Sequence, residues 1–397
     1  MRIILLPLML FGSLGCSTIV RTTLPFNDLP APSGPYTVAT AIETWKDNSR
    51  LEAFTENPSD IRRIVVQYWY PTAASISAES NTHPYIDQPD KRMSAFAQAM
   101  GLPQFLVEHI QEVKTHSLYG QKVHPDIGAL PVVIFSHGLG GMKSQNTIQA
   151  EELASHGYLV IAADHAFDAY LTIFDDATTA DYRSSGGDIS NEAEFWAVRG
   201  PQLETRTHDI SFILDMVSSR KTNPNDVEEV NVLWQRADLN RVGIFGHSFG
   251  GATSLMALSR DSRIRAAIAL DGWMVPVPET KISEGSRKPL MYIGQESWDE
   301  PLNYEKLSRF VESSSEYVTS EIWEGTKHMD FADAPHLSDF ARRIGFAGKM
   351  PSEELRTRLN RKILTFFATH LSYPAPQAGL MSTGMPLSND ANHPGNH

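Results

Sequence analysis

The sequence predicts an α/β fold with a mostly parallel central sheet and helices on both of its faces. Short apolar runs recur along the chain, and several are continuous rather than alternating, which is typical of strands buried on both faces. Helical patterns separate these runs, and such alternation favours right-handed crossover connections. The chain has 397 residues, of which 41% are hydrophobic, so it can form a large core. We expect one domain, because neither an internal repeat nor a second core is evident.

The individual elements follow from these runs. We predict strands over 63–70, 131–136, 158–163, 241–245, 264–270, 289–293 and 317–323, and helices over 145–156, 202–219, 249–259, 303–313 and 353–371. Segments 83–118 and 168–200 fit the alternation poorly, and insertions of this kind often form a cap over the site of an α/β enzyme. An ordinary core-packing helix is the alternative for the first of them.

The N-terminus reads as an export signal. Residues 1–15 combine Arg2 with a short apolar run, which suits a signal peptide and is too short to span a membrane. Cys16 follows at once and resembles the lipidated cysteine of bacterial lipoproteins, although Ser13 stands where that signal usually has leucine. We therefore expect a membrane-anchored lipoprotein, with a periplasmic or secreted protein as the alternative.

The body of the protein is expected between two less regular segments. Residues 16–35 are rich in proline and predict a tether, and residues 372–397 predict a disordered tail, because neither has the apolar periodicity of a packed element. The folded α/β domain is then expected over 36–371.

Composition excludes several classes of function. A net charge of −13 argues against nucleic acid as a partner, because a nucleic-acid-binding surface is basic. Cys16 is the sole cysteine, so neither an intrachain disulfide nor a cysteine metal site can form, and no paired histidine motif suggests another metal. A phosphate-binding G-x-x-x-x-G-K-[ST] loop is also missing. We expect no cofactor.

The strongest motif is Gly246-His247-Ser248-Phe249-Gly250, which joins a predicted strand to a predicted helix. This is the context of a nucleophile elbow, a tight turn that exposes a reactive serine at a helix N-terminus. The turn is so close that the residues two before and two after the serine must lack a Cβ atom, and Gly246 and Gly250 meet that demand. Ser248 is therefore the predicted nucleophile.

A nucleophilic serine needs a base and hydrogen-bond donors for the oxyanion. The base of such a fold follows the last strand, where His328 stands, and His336 is a later competitor. One donor should come from the loop after strand 131–136 and the other from the residue after the serine, so Leu139 and Phe249 are the candidate backbone donors. His137 lies on this loop and is expected to be structural.

The acid that orients the histidine has two candidate positions. Asp271 stands at the carboxyl end of the buried strand 264–270, where a carboxylate needs a partner such as an imidazolium. Glu296 and Asp299 follow the next strand, in a polar loop where water can solvate their carboxylates, so neither needs a partner in the protein. We favour Asp271, and the order Ser, Asp, His along the chain is that of the α/β-hydrolase fold.

These motifs together resemble the plasma-type platelet-activating-factor acetylhydrolase family, the group VII calcium-independent phospholipases A2. The resemblance is carried by segments 135–140, 153–157, 246–253, 269–274 and 328–333. It implies metal-free hydrolysis of esters with short or oxidised acyl chains, such as the sn-2 acetyl group of a phospholipid, and it supports Asp271 as the acid.

Other functions remain open from the sequence. A short-chain esterase, a lipase or a polyester hydrolase would share the fold, and a non-catalytic binding protein on the same scaffold would lack a member of the triad. The adjacent pair His208 and Asp209 superficially resembles a motif of small calcium-dependent phospholipases, but those depend on many disulfides. We expect both residues only to pack or to cap.

Overall fold

The computed structural model describes residues 20–77, 80, 82–183, 189–222 and 229–372. The predicted signal peptide, Cys16 and residues 373–397 lie outside the described residues. No helix within the described ranges is both long and apolar enough to cross a bilayer.

The strands are β1 (Thr37–Leu51), β2 (Ile61–Thr72), β3 (Thr82–Pro84), β4 (Lys114–Tyr119), β5 (Leu130–Ser136), β6 (Leu159–Asp164), β7 (Leu171–Ile173), β8 (Thr179–Asp181), β9 (Ala237–His247), β10 (Ile264–Leu270), β11 (Leu290–Gln295) and β12 (Val318–Trp323). The helices are α1 (Pro89–Ala99), α2 (Gln104–Val107), α3 (Thr147–Ser155), α4 (Glu192–Thr222), α5 (Glu229–Arg236), α6 (Phe249–Arg260), α7 (Glu279–Glu284), α8 (Leu302–Glu312), α9 (Ala334–Leu337), α10 (Phe340–Arg343) and α11 (Ser352–His370). Two 3₁₀ turns cover Glu108–Glu112 and His328–Phe331.

One large sheet organises the described chain, in the order β12-β11-β10-β9-β5-β6-β2-β1-β4-β3. The six strands from β12 to β6 are parallel to their neighbours, whereas β2 pairs antiparallel with both β6 and β1. The carboxyl ends of the parallel strands therefore meet at one edge, which is where such sheets bind ligands.

Helices cover both faces of the sheet, as the continuous apolar strands predict. Apolar residues of α4 and α6 pack with one face in a single buried cluster. The opposite face packs against α3 and α11 in a second cluster. The sequence prediction of a mostly parallel α/β sheet is confirmed.

The seven predicted strands and five predicted helices are all present, with boundaries shifted by a few residues except for α4, which begins ten residues earlier at Glu192. The 15-residue strand β1 was missed. Its second half carries Lys46, Asp47, Asn48, Ser49 and Arg50, which reads as a loop, and it becomes a strand through antiparallel pairing with β2. That pairing is a tertiary contact, which local propensity does not contain.

The segment 83–118 is not one long helix. It contains β3, the short helices α1 and α2, a 3₁₀ turn and β4. Its apolar residues form a separate buried cluster with Tyr170 and Leu337, away from the two clusters that cover the sheet. This position agrees with an insertion that caps the site.

The second half of the segment that the sequence predicted to be a tether is instead packed on the body. Residues 24–35 pack along the body, and Leu29 is only 2% exposed. The backbone N–H of Leu29 donates to the carbonyl of Lys114, the first residue of β4. Low periodicity in a proline-rich segment therefore does not mean free movement, because the body supplies its hydrogen-bond partners.

Candidate active site

Ser248 lies on the turn between β9 and α6. Its backbone has φ 58° and ψ −119°, a conformation that L-residues rarely adopt. The turn is held by the Ser248 N–H, which donates to the Leu270 carbonyl at the end of β10. The serine therefore stands at the carboxyl edge of the sheet and at the N-terminus of α6.

The glycines around Ser248 are required by close approach. A Cβ atom on Gly246 would lie 2.1 Å from the carbonyl oxygen of Gly250, and one on Gly250 would lie 1.9 Å from the carbonyl oxygen of Ser136. Both distances are far below van der Waals contact. The steric reason for the G-x-S-x-G spacing is thus visible in the packing.

His328 and Asp271 are neighbours although they lie 57 positions apart in the chain. Nδ1 of His328 lies 2.6 Å from Oδ2 of Asp271. The pairing fixes the tautomer: Nδ1 donates to the carboxylate, which leaves Nε2 to accept a proton. Ser248 and His328 line the same cavity. Within the described residues they form no mutual hydrogen bond, and such bonds often tighten only when substrate binds.

The Asp271 carboxylate is fully buried and well satisfied. It accepts hydrogen bonds from the Gln295 backbone N–H at 3.0 Å, the Gln295 side-chain amide at 2.8 Å and the Trp298 indole at 3.0 Å. Four donors including His328 offset the cost of burying a charge. Sequence reasoning missed Gln295 and Trp298, for which no motif exists.

The competing acids do not reach the histidine. Glu296 and Asp299 are exposed, and Glu296 accepts instead from the Gly325 N–H at 3.4 Å. Among the described residues, the carboxylate bonded to His328 is that of Asp271.

The two candidate oxyanion donors are available. Leu139 lines the cavity, and Phe249 follows Ser248 as the first residue of α6. Neither backbone N–H donates to an acceptor within the described part of the chain. Each can therefore donate to the negative oxygen of a tetrahedral intermediate.

Arg206 on α4 holds the loop that carries Leu139. Its guanidinium donates to the carbonyls of His137 at 2.6 Å and Gly138 at 3.2 Å, and it also pairs with Asp168. Because these carbonyls point at the arginine, the following N–H of Leu139 is directed away from it. No signal in the sequence identifies this role.

A glutamine links the oxyanion loop to the histidine. Oε1 of Gln145 accepts the Gly138 N–H at 2.9 Å, and its Nε2 donates to Nδ1 of His247 at 2.8 Å. His247 in turn donates from Nε2 to the carbonyl of His328 at 2.9 Å. Burial, and secondarily the nearby His328, lowers the pKa of His247 well below its usual value, so its ring is neutral as this chain of bonds requires.

The other singled-out histidines have structural surroundings. His137 is buried, and its Nε2 accepts the His165 N–H. His336 lies on α9, where burial lowers its pKa to about 4. His208 is exposed beside Arg260, whereas Asp209 is buried and pairs with Arg62. The cavity at Ser248 is lined by none of the four residues that the sequence analysis named here, His137, His208, Asp209 and His336.

The cavity at Ser248 has a polar end and apolar walls. Its volume is about 380 Å³, and the oxyanion loop, Ser248 and His328 form the polar end. The walls come from the 83–118 insertion and from α9 and α10. Tyr170, at the start of the 168–200 segment, also lines it. Three or more potential metal ligands do not cluster anywhere in the described ranges.

The strand order and the positions of the three residues on it define an α/β-hydrolase fold. A solved structure titled as a ferulic acid esterase from Streptomyces cinnamoneus is similar, with a TM-score of 0.68 and 25% sequence identity over 90% of this chain and 97% of that one.

Residues 24–376 match the family described as platelet-activating factor acetylhydrolase, isoform II, and the chain belongs to that family. This confirms the resemblance found in the sequence. The matched region begins at Leu24, within the segment that the sequence predicted to be a tether.

Individual relatives share about a quarter to a third of their residues with this chain over the aligned regions. The platelet-activating factor acetylhydrolase of Canis lupus familiaris is 31% identical over 267 residues, which cover 61% of this chain and 57% of that protein. A probable 1-alkyl-2-acetylglycerophosphocholine esterase of Arthroderma benhamiae is 24% identical over 351 residues, or 83% of each chain. The match to the first of these thus spans little more than half of its length.

Proposed function

We propose that the protein is a serine ester hydrolase that cleaves short or oxidised sn-2 acyl esters of phospholipids. The observation that carries the proposal is the 2.6 Å contact between His328 and Asp271. His328 lines an apolar cavity together with Ser248, whose backbone is strained. A histidine hydrogen-bonded to a buried carboxylate, a serine on an elbow and two unused backbone N–H groups form the set that acyl transfer needs.

Acylation follows from these positions. The Ser248 hydroxyl attacks the ester carbonyl while Nε2 of His328 takes its proton. The Asp271 carboxylate stabilises the imidazolium that forms. The carbonyl oxygen gains negative charge, which the N–H groups of Leu139 and Phe249 stabilise together with the N-terminus of α6.

The intermediate then collapses to an acyl-enzyme. His328 returns the proton to the departing alcohol, which for a phospholipid is the lysolipid. A water molecule, deprotonated by the same nitrogen, attacks the Ser248 ester; His328 then returns that proton to Oγ of Ser248 as the carboxylic acid is released. Every proton passes through His328, and this route calls for no metal ion.

The cavity wall supports a lipid-like substrate. Met100, Phe340 and Ile344 line the cavity and are 37%, 36% and 55% exposed. Large apolar side chains in contact with water at the entrance of a cavity mark a surface that binds hydrocarbon.

An anchor at Cys16 would suit such a substrate, and we propose that this cysteine is lipidated after export. Cys16 itself is outside the described residues. Leu24, which lines the cavity, stands eight positions further along the chain, and an extended chain of that length reaches at most about 30 Å. A lipid on Cys16 would therefore hold the cavity close to the membrane surface.

A soluble ester is the second candidate substrate. The solved neighbour is titled as a ferulic acid esterase and is covered over 97% of its length. The same catalytic residues would hydrolyse a short-chain or aromatic ester, so the chemistry of ester hydrolysis does not by itself distinguish a phospholipid substrate from a soluble one.

The test compares both substrate classes on the purified protein. We expect higher kcat/KM on a 2-acetyl phosphatidylcholine than on methyl ferulate or a dipalmitoyl phospholipid. Ser248→Ala should lower kcat by about 10⁶-fold on every ester while the fold is kept. Ser262→Ala, at an exposed serine, is the matched control. Near-native activity in Ser248→Ala would overturn the proposed serine ester hydrolase mechanism. A preference for methyl ferulate would overturn only the proposed phospholipid substrate.

A further inference from the structure

The segment before β1 is built into the substrate cavity. We name residues 24–35 the N-terminal strap. It is held along the 83–118 insertion and α9 by one backbone and one side-chain contact: the Asn27 N–H donates to the Leu337 carbonyl at 2.8 Å, and the Lys114 N–H donates to the Asp28 carboxylate at 2.8 Å.

Side chains fasten both ends of the N-terminal strap. At its start, Nε2 of His109 lies 2.6 Å from the Leu24 carbonyl oxygen. At its end, the Ser33 N–H donates to the carboxylate of Glu152 at 2.9 Å, and Glu152 is buried on α3. The contacts are therefore made with two separate parts of the body, which a segment that serves only as a linker does not require.

Two strap side chains form part of the cavity wall. Leu24 and Phe26 line the same cavity as Ser248 and His328. The Phe26 ring lies 4.6 Å, centroid to centroid, from the His109 ring and packs on the apolar cluster of the insertion. Pro25 stands between them, is exposed and does not line the cavity.

We propose that Leu24 and Phe26 set the length of hydrocarbon chain that the cavity accepts, so that the N-terminal strap is a specificity element of the enzyme. This rests on the proposed ester hydrolase function. A wall residue discriminates by the volume it leaves: a smaller side chain admits further methylene groups, and a larger one excludes them. The chain in question is either the acyl chain or the alkyl chain of the alcohol.

The experiment measures kcat/KM on two ester series. One series varies the acyl chain of nitrophenyl esters from two to twelve carbons, and the other varies the alcohol chain of acetate esters over the same range. We expect Leu24→Ala and Phe26→Ala to raise the ratio of long-chain to short-chain kcat/KM about tenfold in one series, which identifies the chain that lies against the strap. Pro25→Ala is the matched control and should keep the wild-type ratio in both series.

Phe26→Trp separates a wall effect from a loosened strap. The larger ring should shift the preference towards shorter chains, opposite to Phe26→Ala, whereas loss of strap docking would shift both variants in the same direction. Equal ratios in wild type and both alanine variants, or shifts of the same sign for alanine and tryptophan, would overturn the proposal. Activity that survives Ser248→Ala would instead overturn the proposed function.

Discussion

The side-chain amide of Gln145 donates to Nδ1 of His247 across 2.8 Å, and through that ring it is connected to the backbone of His328. The same amide accepts the N–H of Gly138 on the oxyanion loop. One side chain thus sets the relative position of the loop that carries an oxyanion donor and the loop that carries the base.

We therefore predict that Gln145→Leu lowers kcat by about 10- to 100-fold and changes KM little, because misplaced catalytic groups affect the transition state more than the bound substrate. Steady-state kinetics on a short-chain ester measures this. Gln149→Leu is the matched control: its amide bonds Asn360 on α11, so we expect lower stability with near-native kcat. A loss confined to KM in Gln145→Leu would contradict the positioning role.

The buried carboxylate gives a second prediction. Asp271→Asn keeps the shape of the side chain but removes the charge that orients and stabilises the imidazolium, so kcat should fall by about 10⁴-fold. Glu296→Gln and Asp299→Asn, on the exposed loop, should stay within a few-fold of wild type. If Glu296→Gln is as damaging as Asp271→Asn in folded protein, the acid has been assigned wrongly.

A third prediction concerns metal ions. Because the N–H groups of Leu139 and Phe249 are free to bind the oxyanion, the reaction needs no cation for that purpose. Activity should be unchanged after dialysis against excess EDTA. Loss of activity in chelator that calcium or zinc restores would contradict this expectation.

Glu151 on α3 gives a prediction for stability. Its Oε1 accepts the His116 N–H and the Ser117 hydroxyl, whereas its Oε2 is buried without a partner among the described residues. Burial raises the pKa of Glu151 from 4.5 to about 7. Between these values the folded state keeps a proton that the unfolded state releases, so the free energy of unfolding falls as pH rises and levels off above about 7.

The size of this effect is about 3 kcal/mol, and Glu151→Gln should abolish it. Urea unfolding of both proteins at pH 5 and pH 8 measures the difference. The variant should gain stability relative to wild type over that interval. Parallel pH dependences in the two proteins would show that Glu151 does not titrate as described.

The last prediction concerns location. If Cys16 carries a diacylglyceryl group and an N-acyl chain, the wild-type protein should sediment with membranes, since several acyl chains together anchor a protein stably. Cys16→Ser should release it or block its processing, and the catalytic body should keep its kcat/KM on a water-soluble ester. A soluble wild-type protein whose mature N-terminus is not Cys16 would refute the anchor.

The chemistry of the candidate site was largely readable in the sequence. Gly246 is required by a contact within the elbow, with the carbonyl of Gly250, whereas Gly250 is required by the carbonyl of Ser136 at the end of the neighbouring strand β5. The motif could still be recognised from the sequence, because its spacing and its place between a strand and a helix are local. His328 and Asp271 follow strands whose ends meet at one edge of a parallel sheet, and the order of strands is enough to nominate them. The acid that pairs with His328 remained a choice among Asp271, Glu296 and Asp299 until their positions in space were known.

The sequence by itself determined the fold class and the nominated nucleophile, base and acid, because apolar periodicity and tight turns are local properties of the chain. Only the tertiary structure decided that Arg206, Gln145 and Trp298 support these groups, and that the N-terminal strap forms a wall of the cavity. Apart from the bond between Gln145 and Gly138, such roles come from hydrogen bonds and packing between residues tens to hundreds of positions apart. No local pattern encodes those contacts, because each partner is supplied by the folded body rather than by its neighbours in the chain.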